Sequence, residues 1–330
     1  MTDARGLRAP VLQVALALAA VYVIWGSTYL AMAIAIETLP PFWMAGVRHA
    51  VAGVILYLFA RSRGAARPTR IHWRSAAFIG GLLLLGGNGG VVWAEQRVDS
   101  GIAALLVSTV PLWMVLLEAV RPGGSRPSGR VVLGVALGFV GLIVLVRPTG
   151  GGGIDLLGMA ALMIASLSWA WGSLQSRRVQ LPDSPLMATA MEMLAGGGLL
   201  LLAGLVSGEA SRLDLASVSL RSGLALGYLI AFGSLIGFTA YIWLLRAASP
   251  VLAATYAYVN PIVAVFLGWL ILSEPLTSQT LIAAPVIVAG VILITTSQTR
   301  RRIEEAETPK EIEEEVEIEE APPLRRAAAR

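Results

Sequence analysis

Residues 11–33 read VLQVALALAAVYVIWGSTYLAMA, an apolar run without a charged side chain. The hydrocarbon core of a bilayer is about 30 Å thick, and a helix of roughly 20 apolar residues crosses it. A secretory signal peptide is the alternative, because Arg5 and Arg8 precede the run and residues 31–33 (AMA) resemble a cleavage site. The apolar core of a signal peptide is only about 7–15 residues long. The run therefore predicts a retained membrane-spanning helix.

Nine further apolar runs follow, separated by short loops. The ten runs lie near residues 11–33, 41–60, 74–94, 101–120, 131–148, 154–176, 186–206, 222–244, 251–272 and 280–297. Of the 330 residues, 56% are hydrophobic and 14% are charged, whereas a soluble domain has roughly 45–50% and about 25%. This excludes a disordered chain, a collagen-like chain and an ordinary soluble enzyme. We predict an all-α polytopic membrane protein with ten transmembrane helices.

The basic residues indicate how these spans are oriented. Of the 25 Lys and Arg residues, 20 fall in the N-terminus, the C-terminal tail and alternate loops such as 61–74, whereas four fall in the opposite loops. Basic loops stay on the cytoplasmic side of the membrane. We therefore expect both termini to lie in the cytoplasm. The expected partner of the basic loops is anionic lipid rather than nucleic acid.

Residues 300–330 differ from the rest of the chain because ten Glu and seven basic residues take the place of apolar runs. A segment with this composition cannot bury enough apolar surface to fold alone. We expect a disordered cytoplasmic tail. A segment that binds a partner or regulates the protein is the alternative.

The apolar region is an internal repeat. Residues 25–27 (WGS) recur as residues 171–173, 146 positions later, and Pro41 recurs as Pro185, 144 positions later. Each repeat has five spans, an odd number, so the second repeat enters the membrane from the opposite side. Inverted 5+5 repeats of this kind are typical of secondary transporters. The chain then divides into an N-terminus (1–10), a first repeat (11–148), a second repeat (149–299) and the tail (300–330).

Pro111 and Pro261 lie in the middle of spans 4 and 9, at matching positions of the two repeats. A lone proline commonly only kinks a helix. Matched interruptions in the two halves, however, mark the substrate site of many secondary transporters, near the bilayer midplane. We therefore interpret both prolines as helix interruptions beside a substrate cavity.

Ionisable side chains within or at the ends of the spans are candidates for coupling or gating. Arg48 and Glu192 lie 144 residues apart, at matching positions of spans 2 and 7. A charge at the bilayer centre costs about 2.5–3.5 kcal/mol on insertion scales and usually faces a cavity. The alternative for these two residues is a structural charge pair. Glu95 is the third candidate, because it follows a glycine-rich stretch, 86–90, that surrounds Asn88.

Aromatic and amide side chains inside the spans indicate where a cavity lies. Tyr22, Trp25 and Tyr29 form one stripe along the middle of span 1, although Trp and Tyr ordinarily lie at the membrane interfaces. Interhelical packing is the alternative explanation for such residues. The predicted cavity-lining residues are Trp25, Tyr29, Asn88, Trp169, Tyr256, Tyr258 and Asn260.

The sequence lacks the residues that ATP binding and metal binding commonly need. Lys310 is the only lysine, so the chain has no Walker A motif for ATP, and two His without any Cys cannot form the common metal-binding motifs. We expect no cofactor and no metal. The expected partners are a small-molecule substrate, the lipid bilayer and protons as a candidate coupling ion, whereas the oligomeric state stays open.

Five stretches resemble a known family. They are residues 25–29 (WGSTY), 87–89 (GNG), 94–96 (AEQ), 256–261 (YAYVNP) and 274–277 (EPLT). They are similar to the motifs of the EamA-domain exporters in the drug/metabolite transporter superfamily, especially of their YedA-like inner-membrane branch. The resemblance covers roughly residues 15–297 and departs in one hairpin. Where the second repeat has Glu274-Pro275, the first has Arg126-Pro127.

This resemblance implies two five-helix lobes around a central cavity and alternating access by movement of one lobe against the other. The residues that match the family in the lobes are Trp25, Arg48, Asn88, Glu95, Pro111, Glu192, Tyr258, Asn260 and Pro261. The expected function is export of small organic solutes such as metabolites, amino acids or drugs, driven by a gradient or by exchange. Uptake or facilitated diffusion is the rival within transport, and a membrane scaffold or enzyme is the rival outside it.

Overall fold

The structure is a computed structural model that describes residues 11–121, 127–146, 155–176, 178–247 and 256–307. These residues contain helices and no strand. In the first half the α-helices are α1 (Val11–Ala35), α2 (Pro41–Ser62), α3 (Arg70–Gly80), α4 (Gly90–Ala94), α5 (Ser100–Val107), α6 (Val110–Val120) and α7 (Gly129–Val146). A π-helical segment, π1 (Gly81–Gly89), joins α3 to α4.

The second half repeats this order of elements. Its α-helices are α8 (Leu156–Gln175), α9 (Pro185–Val206), α10 (Leu220–Tyr228), α11 (Gly237–Ala247), α12 (Tyr256–Leu272) and α13 (Ser278–Glu307). A second π-helical segment, π2 (Leu229–Ile236), joins α10 to α11, and a short 3₁₀ helix (Glu209–Arg212) follows α9.

Seven helical segments within the described residues are long and apolar enough to cross a membrane. They are Leu12–Ala35, Pro41–Ser62, Arg70–Ala94, Ser100–Val120, Leu156–Gln175, Pro185–Val206 and Leu220–Tyr241. Three shorter apolar helices are Gly129–Leu145, Val259–Leu272 and Ser278–Ile294. The shorter helices lie at the predicted spans 5, 9 and 10, and the count of ten membrane-spanning helices stays a prediction.

The helices of the two halves intermix in two groups. In the first group, α1 packs against α10, α11 and α12, and α12 packs against α5. We call this group, with π2, the α1 bundle. In the second group, α2 packs against α9, and the helix formed by α3, π1 and α4 packs against α8 and α9. We call this group the α2 bundle. Each bundle contains helices of both halves, which differs from lobes made of one repeat each.

Small residues explain why helices of different halves pack so closely. A Cβ atom on Gly197 of α9 would lie 2.8 Å from the backbone nitrogen of Ala50 on α2. Outside the two bundles, α7 packs against α13, and a Cβ atom on Gly290 would lie 2.6 Å from the carbonyl oxygen of Gly134. Contacts this short exist only because glycine has no side chain, as is common where helices pack within membranes.

The two matched prolines, Pro111 and Pro261, differ in their position within a helix. The chain turns at Ser108 and Thr109, and Pro111 lies in the first turn of α6, where its missing N–H costs nothing. The break lets α5 pack against α12, whereas α6 packs against α8 of the α2 bundle. By contrast, α12 continues through Pro261. The interruption expected at Pro261 is therefore absent from α12, and the residues just before Tyr256 lie outside the described part.

The two π-helical segments lie at matching positions of the two halves, because their first residues are 148 positions apart. The glycine-rich stretch 86–90 weakens α-helical hydrogen bonding within π1. The sequence of π2, LIAFGSLI, has only one glycine, and its pattern does not predict a departure from an α-helix. Single π turns inside α-helices often occur at functional sites.

The last helix corrects the predicted boundary of the tail. We expected a disordered segment from residue 300 onwards, but α13 continues to Glu307. The mixed Arg and Glu residues of 300–307 are good helix formers that extend an existing helix without a new nucleus. The rest of the predicted tail, 308–330, lies outside the described residues, as does the predicted N-terminus, 1–10.

Candidate substrate site between the two bundles

Arg48 extends from α2 to the α1 bundle. Its Nε donates a hydrogen bond to Oγ of Ser234 on π2 at 3.1 Å, and the residue is 5% exposed. Gly233 makes room for the guanidinium, since a Cβ atom there would lie 3.1 Å from Nη2. The Nη1 atom is buried and has no hydrogen-bond partner within the described part of the chain. Arg48 therefore keeps a free donor where the bundles meet.

Glu95 follows α4 at the end of span 3 and is 9% exposed. Both of its carboxylate oxygens are buried, and neither accepts a hydrogen bond from a described residue. Arg48 and Tyr29 lie within electrostatic range of this carboxylate, but the described ion pairs do not include Glu95. A buried carboxylate without partners is costly. Glu95 is therefore free to bind a cationic group or a proton.

Asn88 is tied to its neighbours. Its Oδ1 is 3.1 Å from Nε2 of His49, and its Nδ2 lies 3.8 Å from Sδ of Met32 on α1. His49 is buried, and its Nδ1 lacks a hydrogen bond to any described residue. His49 thus holds the amide of Asn88 in place on π1.

Trp25 is the centre of an aromatic cluster formed by α1, α11 and α12. Its ring centroid lies 5.1 Å from those of Tyr241 and Tyr256 and 5.5 Å from that of Phe238. Its indole Nε1 donates a hydrogen bond to the carbonyl oxygen of Gly233 on π2 at 3.2 Å. Both the ring and the N–H group of Trp25 are therefore occupied within the α1 bundle, as packing requires.

Asn260 is a further residue with a buried polar atom that lacks a described partner. It is 8% exposed on α12, and its Oδ1 is buried without a partner among the described residues. The backbone of α12 lies close to α1 here, because a Cβ atom on Gly26 would be 3.3 Å from the carbonyl oxygen of Asn260. Tyr258 lies on the same helix, but its side chain is outside the described part.

The structure does not pair Arg48 with Glu192. Glu192 is half-buried on α9, and the ion pairs of the described residues do not include it. Trp169 of α8 packs against π1, since a Cβ atom on Gly87 would lie 2.8 Å from its ring. The structure thus gathers Arg48, Glu95 and Tyr29 around one point, whereas Glu192 and Trp169 lie elsewhere in the α2 bundle.

Two carboxylates that we had not singled out as functional cap helices within the bundles. Glu274, after α12, accepts hydrogen bonds from the backbone nitrogens of Ser100 and Gly101 at 2.8 and 3.0 Å. Glu209, after α9, accepts hydrogen bonds from those of Phe42 and Trp43 at 3.3 and 3.1 Å. A carboxylate at a helix N-terminus satisfies free N–H groups and complements the helix dipole. Each bundle thus has a helix of the first half capped from the second.

The loops before α5 and α8 also carry charged side chains. The carboxylate of Asp155 accepts hydrogen bonds from the backbone nitrogen of Gly158 at 2.9 Å and from Arg97 at 3.0 Å. These two hydrogen bonds hold the pKa of Asp155 below its usual range. Burial and the nearby Glu274 carboxylate raise the pKa of Asp99. The loop before α5 therefore brings Arg97 close to Asp155 and Asp99 close to Glu274.

The comparisons with known proteins agree on one class. The profile of the EamA-like transporter family matches residues 12–147 and again residues 156–296. The chain is 44% identical over 282 residues to "Uncharacterized inner membrane transporter YedA" of Escherichia coli strain K12, covering 84% of this chain and 89% of that protein. It is 25% identical over 295 residues to "Uncharacterized transporter YoaV" of Bacillus subtilis strain 168, covering 88% and 99%.

The fold is also similar to a solved crystal structure, with a TM-score of 0.60 and 22% sequence identity over 87% of this chain and 98% of the other. Together with the apolar helices, these findings define a multi-pass inner-membrane transporter. The chain belongs to the EamA-like transporter family.

Proposed function

We propose that the protein is a secondary transporter that exports small organic solutes across the inner membrane by alternating access. Metabolites, amino acids and drugs are the candidate solutes, and an ion gradient or exchange is the proposed driving force. The topology we propose has ten spans in a 5+5 inverted repeat, with both termini in the cytoplasm. The double match of the family profile and the matched π segments support the repeat.

One observation supports a substrate site more than any other. Seven of the described residues keep a buried side-chain polar atom without a described partner, and three of the seven are predicted site residues: Arg48 and Glu95 of the α2 bundle and Asn260 of the α1 bundle. Buried polar atoms are ordinarily paired, and exceptions call for an explanation such as a ligand or water. We propose that Arg48 binds an anionic group, that Glu95 binds a cationic group or a proton, and that Asn260 donates or accepts a hydrogen bond.

The remaining candidates receive more limited proposals. Tyr29 and Asn88 border this site, because they lie next to Glu95 and His49 respectively. Trp25 and Tyr256 close it on the side of the α1 bundle, and Trp169 supports π1. Tyr258 stays a candidate from its match to the family motif. The break before Pro111 ends α5, and Pro261 lies in α12. These two helices, α5 and α12, pack against each other in the α1 bundle.

A counterflow assay tests the proposed function. The purified protein in proteoliposomes is preloaded with one unlabelled solute from a panel of amino acids, nucleosides and cationic drugs, and uptake of the same labelled solute is followed. Exchange that exceeds that of empty liposomes is the expected result. Transport that accumulates solute only in right-side-out vesicles would indicate uptake instead, and no exchange with any solute would favour a scaffold or an enzyme.

Glu192 is the proposed site of proton coupling outside the Arg48 region. We expect that Glu192→Gln slows transport and removes its pH dependence, because an amide cannot gain or lose a proton. Rates are measured between pH 5.5 and 8.5 in proteoliposomes. The matched control is Glu118→Gln, since Glu118 is an exposed carboxylate that pairs with Arg121 and Arg178. If Glu192→Gln leaves the rate and its pH dependence unchanged, Glu192 does not couple protons.

A further inference from the structure

We propose that a groove between α1 and α10 is a binding site for one phospholipid of the surrounding bilayer. An acyl chain lies along the groove, and a headgroup of phosphate and primary ammonium lies at its mouth. The groove runs from Arg221 at the mouth to Tyr228 at the inner end, and it has a volume of about 640 Å³. Lipid binding there does not depend on which solute the protein carries.

Each wall of the groove is a single stripe of one helix. The α1 wall consists of Ser27, Leu30, Ala31 and Ile34. Positions spaced as i, i+3, i+4 and i+7 lie on one face of an α-helix. The α10 wall repeats this spacing from residue 221 to residue 228. At ~1.5 Å per residue, both walls are about 10 Å long, so the groove is elongated along the helices, as an acyl chain in a bilayer is.

The floor and the rim of the groove are apolar. Ala31 and Ala225 form the floor and are 7% and 8% exposed, whereas Leu220 and Leu224 at the rim are 79% and 66% exposed. The small alanines leave a depression between α1 and α10 that no side chain of these two walls fills. Atoms that line an empty space lose van der Waals contacts. A hydrocarbon chain restores these contacts without burying a polar group.

Hydrogen bonds hold α1 and α10 together at both ends of the groove. At the mouth, Ser222 Oγ donates to a backbone carbonyl of α1 at 2.9 Å, and the backbone nitrogen of Ser219 donates to Oγ1 of Thr38 at 3.1 Å. At the inner end, Ser27 Oγ lies 2.6 Å from the hydroxyl oxygen of Tyr228. The groove is therefore formed before a ligand enters, which lowers the entropic cost of binding.

The mouth of the groove carries one charge of each sign. The guanidinium of Arg221 lies 3.4 Å from the carboxylate of Glu37, and the two side chains are 53% and 39% exposed. An arginine has five N–H donors, so the contact with Glu37 leaves donors for a phosphate. The carboxylate accepts hydrogen bonds from a primary ammonium. Charge complementarity thus favours a zwitterionic headgroup over one with a phosphate alone, which Glu37 would repel.

The groove lies on the other side of α1 from the candidate substrate site. Each residue of an α-helix turns the chain by ~100°, so Ser27 and Tyr29 face nearly opposite directions. Tyr29 lies within electrostatic range of the buried Glu95, whereas Ser27 lines the groove with its exposed leucine rim. In the proposed topology, the mouth of the groove lies in the outer leaflet of the membrane.

Native mass spectrometry of the delipidated full-length protein tests the site. The dissociation constant of the first bound lipid is measured for dioleoyl lipids with three headgroups. Phosphatidylethanolamine should bind about 10-fold more tightly than phosphatidylglycerol, which has no ammonium, or phosphatidylcholine, whose quaternary ammonium donates no hydrogen bond. Glu37→Gln should remove the preference for phosphatidylethanolamine.

Two further variants have matched controls. Arg221→Gln should weaken phosphatidylethanolamine binding about 10-fold, the effect of losing one hydrogen bond to a charged group. Arg97→Gln should leave it unchanged, since Arg97 is similarly exposed and also pairs with a carboxylate, that of Asp155. Ala225→Phe should weaken binding at least about as much, because the ring fills the floor of the groove. Ala160→Phe adds the same ring at an exposed position of α8 and should have no effect.

Three results would overturn the lipid site. They are equal dissociation constants for the three lipids, equal effects of Arg221→Gln and Arg97→Gln, and unchanged binding in Ala225→Phe. If Ala225→Phe does not fold, the exposed variants at positions 37 and 221 decide the question alone. Counterflow is measured separately, so absence of exchange with intact lipid selectivity counts against the proposed function and not against the lipid site.

Discussion

Replacing Arg48 with glutamine should raise the solute concentration for half-maximal transport by about 10- to 100-fold, for solutes that carry an anionic group. Arg48 keeps a buried Nη1 that has no partner in the described part of the chain, where the two bundles meet. Loss of one hydrogen bond to a charged group costs about 1.5–3 kcal/mol, which corresponds to this range. Concentration dependence of counterflow in proteoliposomes measures the effect.

Two controls separate substrate binding from the loss of a charge or of the bond to Ser234. Arg97→Gln removes an arginine that is exposed and pairs with Asp155 in the loops, so its transport should match that of the unmodified protein. Arg48→Lys keeps the positive charge and should recover part of the affinity. If Arg48→Gln changes the maximal rate but not the half-maximal concentration, Arg48 holds the bundles without binding the solute.

The second large effect concerns Gly197, one of three adjacent glycines, 196–198, on α9. Gly197→Leu should destabilise the folded protein by about 3 kcal/mol, the upper part of the usual cost of overpacking, because its side chain would overlap the backbone of α2. A Cβ atom on Gly197 already lies 2.8 Å from the Ala50 nitrogen and 3.1 Å from the Gly46 oxygen. Backbone atoms cannot move aside as a flexible side chain does. The midpoint of thermal unfolding in detergent and the monodisperse fraction both report the change.

The neighbouring glycine supplies the matched control. A Cβ atom on Gly198 meets nothing within 4 Å, so Gly198→Leu adds the same side chain where space is open. It should raise stability slightly, since leucine favours a helix over glycine by up to about 1 kcal/mol. Equal losses in the two variants would mean that the close approach of α2 and α9 does not stabilise the fold.

Hydropathy and charge predicted most of the described helices, because each span needs only a local run of apolar residues. The prediction of a helix break near Pro111 has the same origin, since the missing N–H group of proline acts within one turn. The stripe of Trp25 and Tyr29 and the buried Arg48 were also visible in the sequence. Both signals are exceptions to where those residue types ordinarily lie, and such exceptions are local.

The features that escaped prediction depend on partners far apart in the chain. Glu274 caps α5 across 174 positions, and Arg48 finds Ser234 across 186. Nothing in the sequence around Glu274 or Ser234 indicates these distant partners, so only the packing of the helices reveals them. The mixed bundles escaped for the same reason. A sequence repeat shows which segments are related, but it does not show which segments become neighbours.

The number of residues in π1 affects where span 3 places the carboxylate of Glu95. Each residue of an α-helix advances the chain by ~100° around its axis. Deleting one residue between Gly81 and Gly89 would therefore either convert π1 into regular α-helix or turn α4 by that angle and move Glu95 away from Arg48. Relatives that are one residue shorter in this stretch are thus expected to have either a continuous α-helix here or no acidic residue at the position of Glu95, so a gap in an alignment becomes a marker of a changed helix or of altered chemistry.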